Sequence, residues 1–229
     1  MTLIEDYGLD SPARSLLLTV LSIKDNNQRT EMDKLHIQKV LRYYEHLCEK
    51  KEIDFSNFKL GGVSYELEEN RETLIEYELI DQKNCDFFLT EEGKTAANDL
   101  KKTFNQDEYQ QLACAKKLLN DVPNDELLYF MYKTIPETQK HSTEFSRLEK
   151  KKESLVKNLF SKRKIDALTA INWLGISEEE FVKMFPKKKL PENTINLLAK
   201  GYQECADEDM KITKDFEQVE NELDEECNT

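Results

Sequence analysis

Residues 147–164 gather eight cations, Arg147, Lys150, Lys151, Lys152, Lys157, Lys162, Arg163 and Lys164, against Glu149 and Glu153. A local charge of +6 is the kind of surface that neutralises phosphate. Arg147, Lys150, Lys151, Lys157, Lys162, Arg163 and Lys164 are therefore the candidate nucleic-acid contacts. An opposite cluster lies upstream, where Glu66, Glu68, Glu69, Glu72 and Glu76 surround the single Arg71. That face repels phosphate and suits a cationic protein surface, which makes Glu66, Glu69 and Glu72 candidate partner contacts.

Catalytic chemistry has no comparable concentration. The chain contains no Ser-His-Asp phrase, no glycine-rich cradle and no metal cluster, so a non-enzymatic role without catalytic residues, cofactor or metal is expected. Gly93-Lys94-Thr95 looks like the end of a phosphate loop, but the glycine required five positions earlier is Phe88. Cys48, Cys85, Cys114, Cys205 and Cys227 are odd in number, scattered and never arranged as C-x-x-C. Reduced thiols follow, with neither a disulfide framework nor a zinc site. His36, His46 and His141 stand at no metal-ligand spacing with any cysteine and are expected to be structural or surface residues.

The elements that carry these clusters are legible in outline. Ser11-Pro12 opens a helix with a side-chain cap and a first-turn proline, running to Ile23. Thr30 to Asp33 resembles a capping box for a second helix, in which Leu35, Ile37, Val40, Leu41, Tyr44 and Leu47 recur at helical spacing. Residues 55–60 read as a strand, Gly61-Gly62 as a turn, and Ser64 as the cap of a helix that buries Leu67, Leu74, Ile75 and Tyr77. Leu79-Ile80 and Phe87-Phe88-Leu89 flank Lys83-Asn84 as a hairpin, and Thr90 caps the next helix. Strand, helix, hairpin and helix in that order predict a winged helix.

From Gln106 onward the pattern is helical. Pro123-Asn124-Asp125 opens a helix whose Leu127, Leu128, Phe130, Met131 and Ile135 belong to the core, and residues 143–160 read as one long helix. Gly175 ends a further helix and Ser177-x-x-Glu180 forms a capping box, predicting a helix-turn-helix over about residues 154–185. Three acids, Glu178, Glu179 and Glu180, occupy the end of its second helix that would meet base edges. The fold expected is mainly α with a small β wing: a winged-helix domain at 1–104, a helical domain with the helix-turn-helix at 105–200, and an acidic amphipathic tail at 201–229.

Charge and hydropathy narrow the partners. The 229 residues carry a net charge of −13 with 38% hydrophobic residues, enough apolar material for a core. The tail holds 11 of the acids and 2 lysines, so −9 of the charge lies there. Ile212, Phe216, Val219 and Leu223 form a helical stripe on this acidic background and are candidate partner contacts. No apolar run approaches the ~20 residues of a bilayer span, and the first residues are acidic where a signal peptide is basic, so a cytoplasmic protein with no membrane contact is expected.

Lys34-Leu35-His36-Ile37-Gln38-Lys39-Val40-Leu41-Arg42-Tyr43 resembles the K-L-x-x-Q-K-L-x-x-Y helix of the YwgA-like winged-helix proteins and, more distantly, of the Panacea-type antitoxin domain. Phe58-Lys59, Ser64-Tyr65-Glu66-Leu67, Leu79-Ile80 and Leu89-Thr90-Glu91-Glu92-Gly93 continue that likeness. Gly62 and Val63 stand where the family has proline and an aromatic residue, and Leu60 where it has tyrosine. Residues 164–181 are similar to the helix-turn-helix of small antitoxins. The resemblance implies a small prokaryotic regulatory or toxin-antitoxin type protein and identifies no partner. The acidic face and acidic tail add the expectation of an antitoxin-like adaptor with a basic, toxin-like protein partner. The alternative is a DNA-binding transcription regulator using residues 147–185. The oligomeric state is left open.

Overall fold

The computed structural model describes residues 7–185, which form two units, one ending at Gly175 and the other beginning at Ile176. The described part is mainly helical with small antiparallel sheets. The expected tail contacts Ile212, Phe216, Val219 and Leu223 lie outside the described residues. No described helix is long and apolar enough to cross a membrane.

Helix α1, Pro12–Ser22, is the centre of the first unit. Ser11 occupies the cap position without the expected side-chain hydrogen bond, and Pro12 alone marks the start. Leu16, Leu17, Leu18, Val20 and Leu21 are all buried, since α1 is covered on successive faces by the helices and strand that follow it. Helix α2, Lys34–Cys48, is preceded by the short strand β1, Met32–Asp33. The expected capping box at Thr30 is corrected here. Pairing of Met32 with Phe87 extends the backbone through Asp33, so Asp33 itself caps α2 and accepts from the His36 backbone N–H at 2.9 Å.

Strands β2, Ser56–Phe58, and β3, Gly61–Val63, pair as a hairpin that leads into helix α3, Tyr65–Glu76. Gly61 takes the expected positive φ of 78°, but Gly61-Gly62 is part of a strand as well as a turn. Strands β4, Ile80–Lys83, and β5, Asp86–Leu89, form the expected hairpin, but Lys83 pairs with Asp86, so the two-residue turn is Asn84-Cys85 in place of the expected Lys83-Asn84, with Asn84 at positive φ. The sheet order is β1-β5-β4. Ser64 caps α3 as expected, and Leu67 and Leu74 are buried, whereas Tyr77 is 40% exposed. Tyr77 lies beyond the last turn, where it stacks on Tyr7 and under Arg14 instead of entering the core.

Helix α4, Glu91–Thr103, is capped by Thr90 and packs on α1. Its first turn meets the base of the hairpin so closely that a Cβ on Gly93 would stand 1.9 Å from the Leu79 carbonyl oxygen. This contact explains the glycine in the phrase that imitates a phosphate loop.

Helix α5, Gln106–Leu119, packs along α2, so residues on both sides of position 105 share one unit. Helix α6, Asn124–Thr134, is buried from Glu126 to Tyr132, in keeping with the expected core role of its apolar residues. A 3-10 turn, Pro136–Gln139, follows it. The long helix expected over 143–160 is instead two helices, α7, Phe145–Glu149, and α8, Lys152–Ser161. The apolar stripe lapses at Lys151 and Lys152, and Lys151 leaves helical geometry at φ −103° and ψ 7°. Helix α9, Ala167–Leu174, ends in left-handed Gly175 and sets Trp173 edge-on against Tyr129 and Phe130. Helix α10, Glu178–Met184, has the expected capping box of Ser177 and Glu180. The boundary between units falls inside the turn of the expected helix-turn-helix, and α9 and α10 belong to different units.

A seam of polar contacts joins α5 and the turn after it to the chain between α1 and α2. The Lys116 ammonium nitrogen donates to the Val20 and Thr30 carbonyls, each at 2.7 Å. Asn120 donates to Asp25 at 2.9 Å and to the Glu31 carbonyl at 3.2 Å, and Asn26 reaches the Lys117 carbonyl at 2.7 Å. Asp25 in turn accepts the backbone N–H groups of Asn27 and Arg29, shaping the break after α1. Burial pushes Lys116 down to about 7, and a neutral amine has two N–H groups for its two carbonyl partners.

Gly93→Ala is expected to destabilise the protein by about 3 kcal/mol, because the methyl group meets backbone that cannot swing away; denaturant unfolding measures it. For Lys116 the unfolded chain binds the extra proton between pH 7 and the ordinary lysine value, so stability rises with pH across that window. Lys116→Met should reduce that rise when urea unfolding at about pH 7 and about pH 9.5 is compared, leaving the share due to the buried Lys39. The variant should also lose about 1–3 kcal/mol at the higher pH by leaving the Thr30 carbonyl without its donor.

Candidate functional site

The face of α3 is sorted by its neighbours into buried and exposed charges. Gln38 of α2 receives the Ser64 backbone N–H at 2.8 Å on its carbonyl and donates its amide to the Ser64 carbonyl at 2.9 Å. Ser64 is therefore held by its backbone while its hydroxyl caps α3. Lys39, next along α2, donates from its buried amine to the Gly62 carbonyl at 2.7 Å, and burial pushes it down to about 8. These two contacts fix where α3 begins and which way it faces.

Glu68 and Arg71 turn inward together. Arg71 lies over the Phe87 ring at 4.5 Å and pairs with Glu68 at 3.0 Å. Glu68 also accepts from Gln38 at 2.9 Å and pairs with Lys34. Burial alone would raise the Glu68 carboxyl, but Lys34, Gln38 and Arg71 bring it below the usual carboxylate value. The single basic residue of α3 is thus removed from its surface. Among the expected partner contacts, Glu69 and Glu72 are exposed, while Glu66 is half-buried and accepts the Asp54 backbone N–H at 3.2 Å. Glu76 is exposed beside them and completes a stripe at positions 69, 72 and 76.

The basic residues of 147–164 are arranged differently. Arg147 grips Asp125 with two hydrogen bonds of 2.6 and 2.8 Å and Glu144 with another of 2.7 Å. Lys151 reaches the same Asp125 at 3.3 Å, Lys162 reaches Glu126 at 2.8 Å, and Lys157 pairs with Glu153 at 3.5 Å. Lys164 is buried on Asp121. Arg147 is the main cause that holds the Asp125 carboxyl down at about 2. Among the described residues, Lys150 and Arg163 are exposed and stand outside these ion pairs. The structure therefore spreads the expected phosphate contacts over α7, the break between α7 and α8, α8 and the loop after it, most of them matched to carboxylates from α6 and the turn before it.

Asp121, Asp125 and Glu126 are the residues that sequence reasoning missed. Asp125 and Glu126 were visible only as acids in the first turn of a helix, where they favour the dipole, and their ion pairs span 22 to 36 positions in the chain. His36, expected to be a structural or surface residue, is buried, and its ring bridges Asp33 and the Val122 carbonyl. Among the described residues, no group of three or more His, Cys, Asp and Glu is placed to hold a metal ion.

Asp125→Asn removes the carboxylate shared by Arg147 and Lys151. The variant should elute from a heparin column at higher salt than the parent, while its unfolding free energy changes by less than about 1 kcal/mol because the pair is exposed. Elution at unchanged salt would mean that these cations are equally available with or without Asp125.

No protein-family model, no curated protein and no solved structure matches this chain.

Proposed function

We propose that the chain is a non-enzymatic, antitoxin-like adaptor, in which residues 30–97 act as a winged helix that docks a basic protein partner on the outer face of α3. The observation that carries this reading is the sorting of charge on α3: Arg71 is withdrawn onto the Phe87 ring and Glu69, Glu72 and Glu76 are left exposed. The topology supports it as well, since α2 and α3 are followed by the β4–β5 hairpin, which pairs with β1 in the manner of a wing.

Such a face offers carboxylates to arginine or lysine and repels a phosphate backbone. A DNA regulator built on residues 147–185 is the weaker reading, because nucleic acid would first have to displace Asp121, Asp125 and Glu126 from the cations. Steric occlusion of a toxin-like partner needs no catalytic group, and charge complementarity would speed its capture.

The triple variant Glu69→Lys, Glu72→Lys, Glu76→Lys tests the proposal. In affinity capture from nuclease-treated host extract, the parent should retain a stoichiometric protein that the variant loses. Titration of that purified protein should show affinity weakened about ten-fold or more, a change of about 1.4 kcal/mol. Unchanged affinity in a variant with the parent's melting temperature, or capture only of nuclease-sensitive material, would sink the reading.

A further inference from the structure

His36 is buried, and both of its ring nitrogens face groups that accept hydrogen bonds. Nδ1 lies 2.8 Å from Asp33 Oδ2, and Nε2 lies 2.8 Å from the Val122 carbonyl oxygen. A neutral imidazole has one N–H and one lone pair, so it satisfies one of these partners and presents its lone pair to the other. Only the imidazolium donates to both. The two partners belong to distant parts of the chain: Asp33 ends β1 and caps α2, whereas Val122 sits in the turn between α5 and α6, 86 positions from His36.

The cleft beside the ring, of about 240 Å³, is lined by Arg29, Glu31, Asp33, Asp86, Asn120 and Asp121. Lys164, from the loop after α8, pairs with the Asp121 of this lining. Four carboxylates against two cations favour a positive ring at this point. Burial works against the charge, but the Asp33 hydrogen bond and its charge outweigh it, and His36 is raised above the ordinary histidine value.

The turn that His36 holds also carries Asp121 and leads into Asp125 and Glu126, the carboxylates that occupy Lys164, Arg147, Lys151 and Lys162. We propose that His36 is a proton-operated latch: as the imidazolium it ties the start of α2 to the α5–α6 turn, and its deprotonation loosens that turn and the carboxylates it positions. The folded protein binds this proton more tightly than the unfolded chain. The latch therefore contributes its full stability below the unfolded value and loses it as pH rises through the folded one.

The test uses the full-length protein and a readout specific to the residue, since Lys116 titrates in the same region. The His36 ring carbon shift is followed by NMR across about pH 5.5 to 8.5, with hydrogen-exchange protection of the Val122 and Leu127 amides, which donate to the Leu119 and Pro123 carbonyls, measured in parallel. The expected result is a His36 midpoint above about 6.5 and a fall in protection of about five-fold or more as pH passes it. Asp33→Asn keeps a capping side chain and removes the charge, and should lower the midpoint by about one pH unit. His36→Gln should lose the pH-dependent step in protection. A midpoint at or below about 6.5, an unmoved midpoint in Asp33→Asn, or a step that survives in His36→Gln would overturn the latch.

Discussion

The two hydrogen bonds between the Gln38 amide and the Ser64 backbone set the geometry on which the acidic face depends. A side-chain amide here does what a neighbouring strand would do, taking one N–H and supplying one to a carbonyl, so that a buried backbone unit is left with no unmet polar group. Ser64 is free to use its hydroxyl as a cap, and α3 starts at a fixed point with a fixed rotation. Rotation decides which glutamates meet water. With α3 in this setting, Arg71 falls on Phe87 and Glu68 falls among Lys34, Gln38 and Arg71, while the stripe through Glu69, Glu72 and Glu76 faces out.

Charge in this protein is thus partitioned by packing more than by composition. The basic stretch holds a local excess of +6, yet most of its cations are engaged by internal carboxylates. Ion pairs at this level of exposure add little to stability, and their larger effect is on what the surface presents. Asp125 alone engages two cations, and Lys164 is buried. The acidic stripe of α3 has no such matching within the helix, because its one arginine is used for packing.

What was legible in the sequence was local. Ser64, Thr90 and the Ser177 and Glu180 box cap their helices as expected, since a cap is decided within four residues. Thr30 failed as a cap for a non-local reason, the pairing of Met32 with Phe87. The hairpin strand at Gly61–Val63 was hidden because glycine is poor strand material and its place is secured from α2 by Gln38 and Lys39. Within the candidate site the acidic face could be read from charge alone. The withdrawal of Arg71 could not, since it depends on a ring 16 positions away, nor could the pairing of the basic residues with α6.

The base of the β4–β5 hairpin is closed twice over. Thr90 donates its hydroxyl to the Glu78 carbonyl and its N–H to the Leu79 carbonyl, and the bare Cα of Gly93 rests on that same Leu79 unit. Length changes at the tip, around Asn84 and Cys85, are therefore mechanically insulated from the helices below. The tip is the place where this chain can gain residues over generations, and where a reporter epitope can be inserted without altering the orientation of α3.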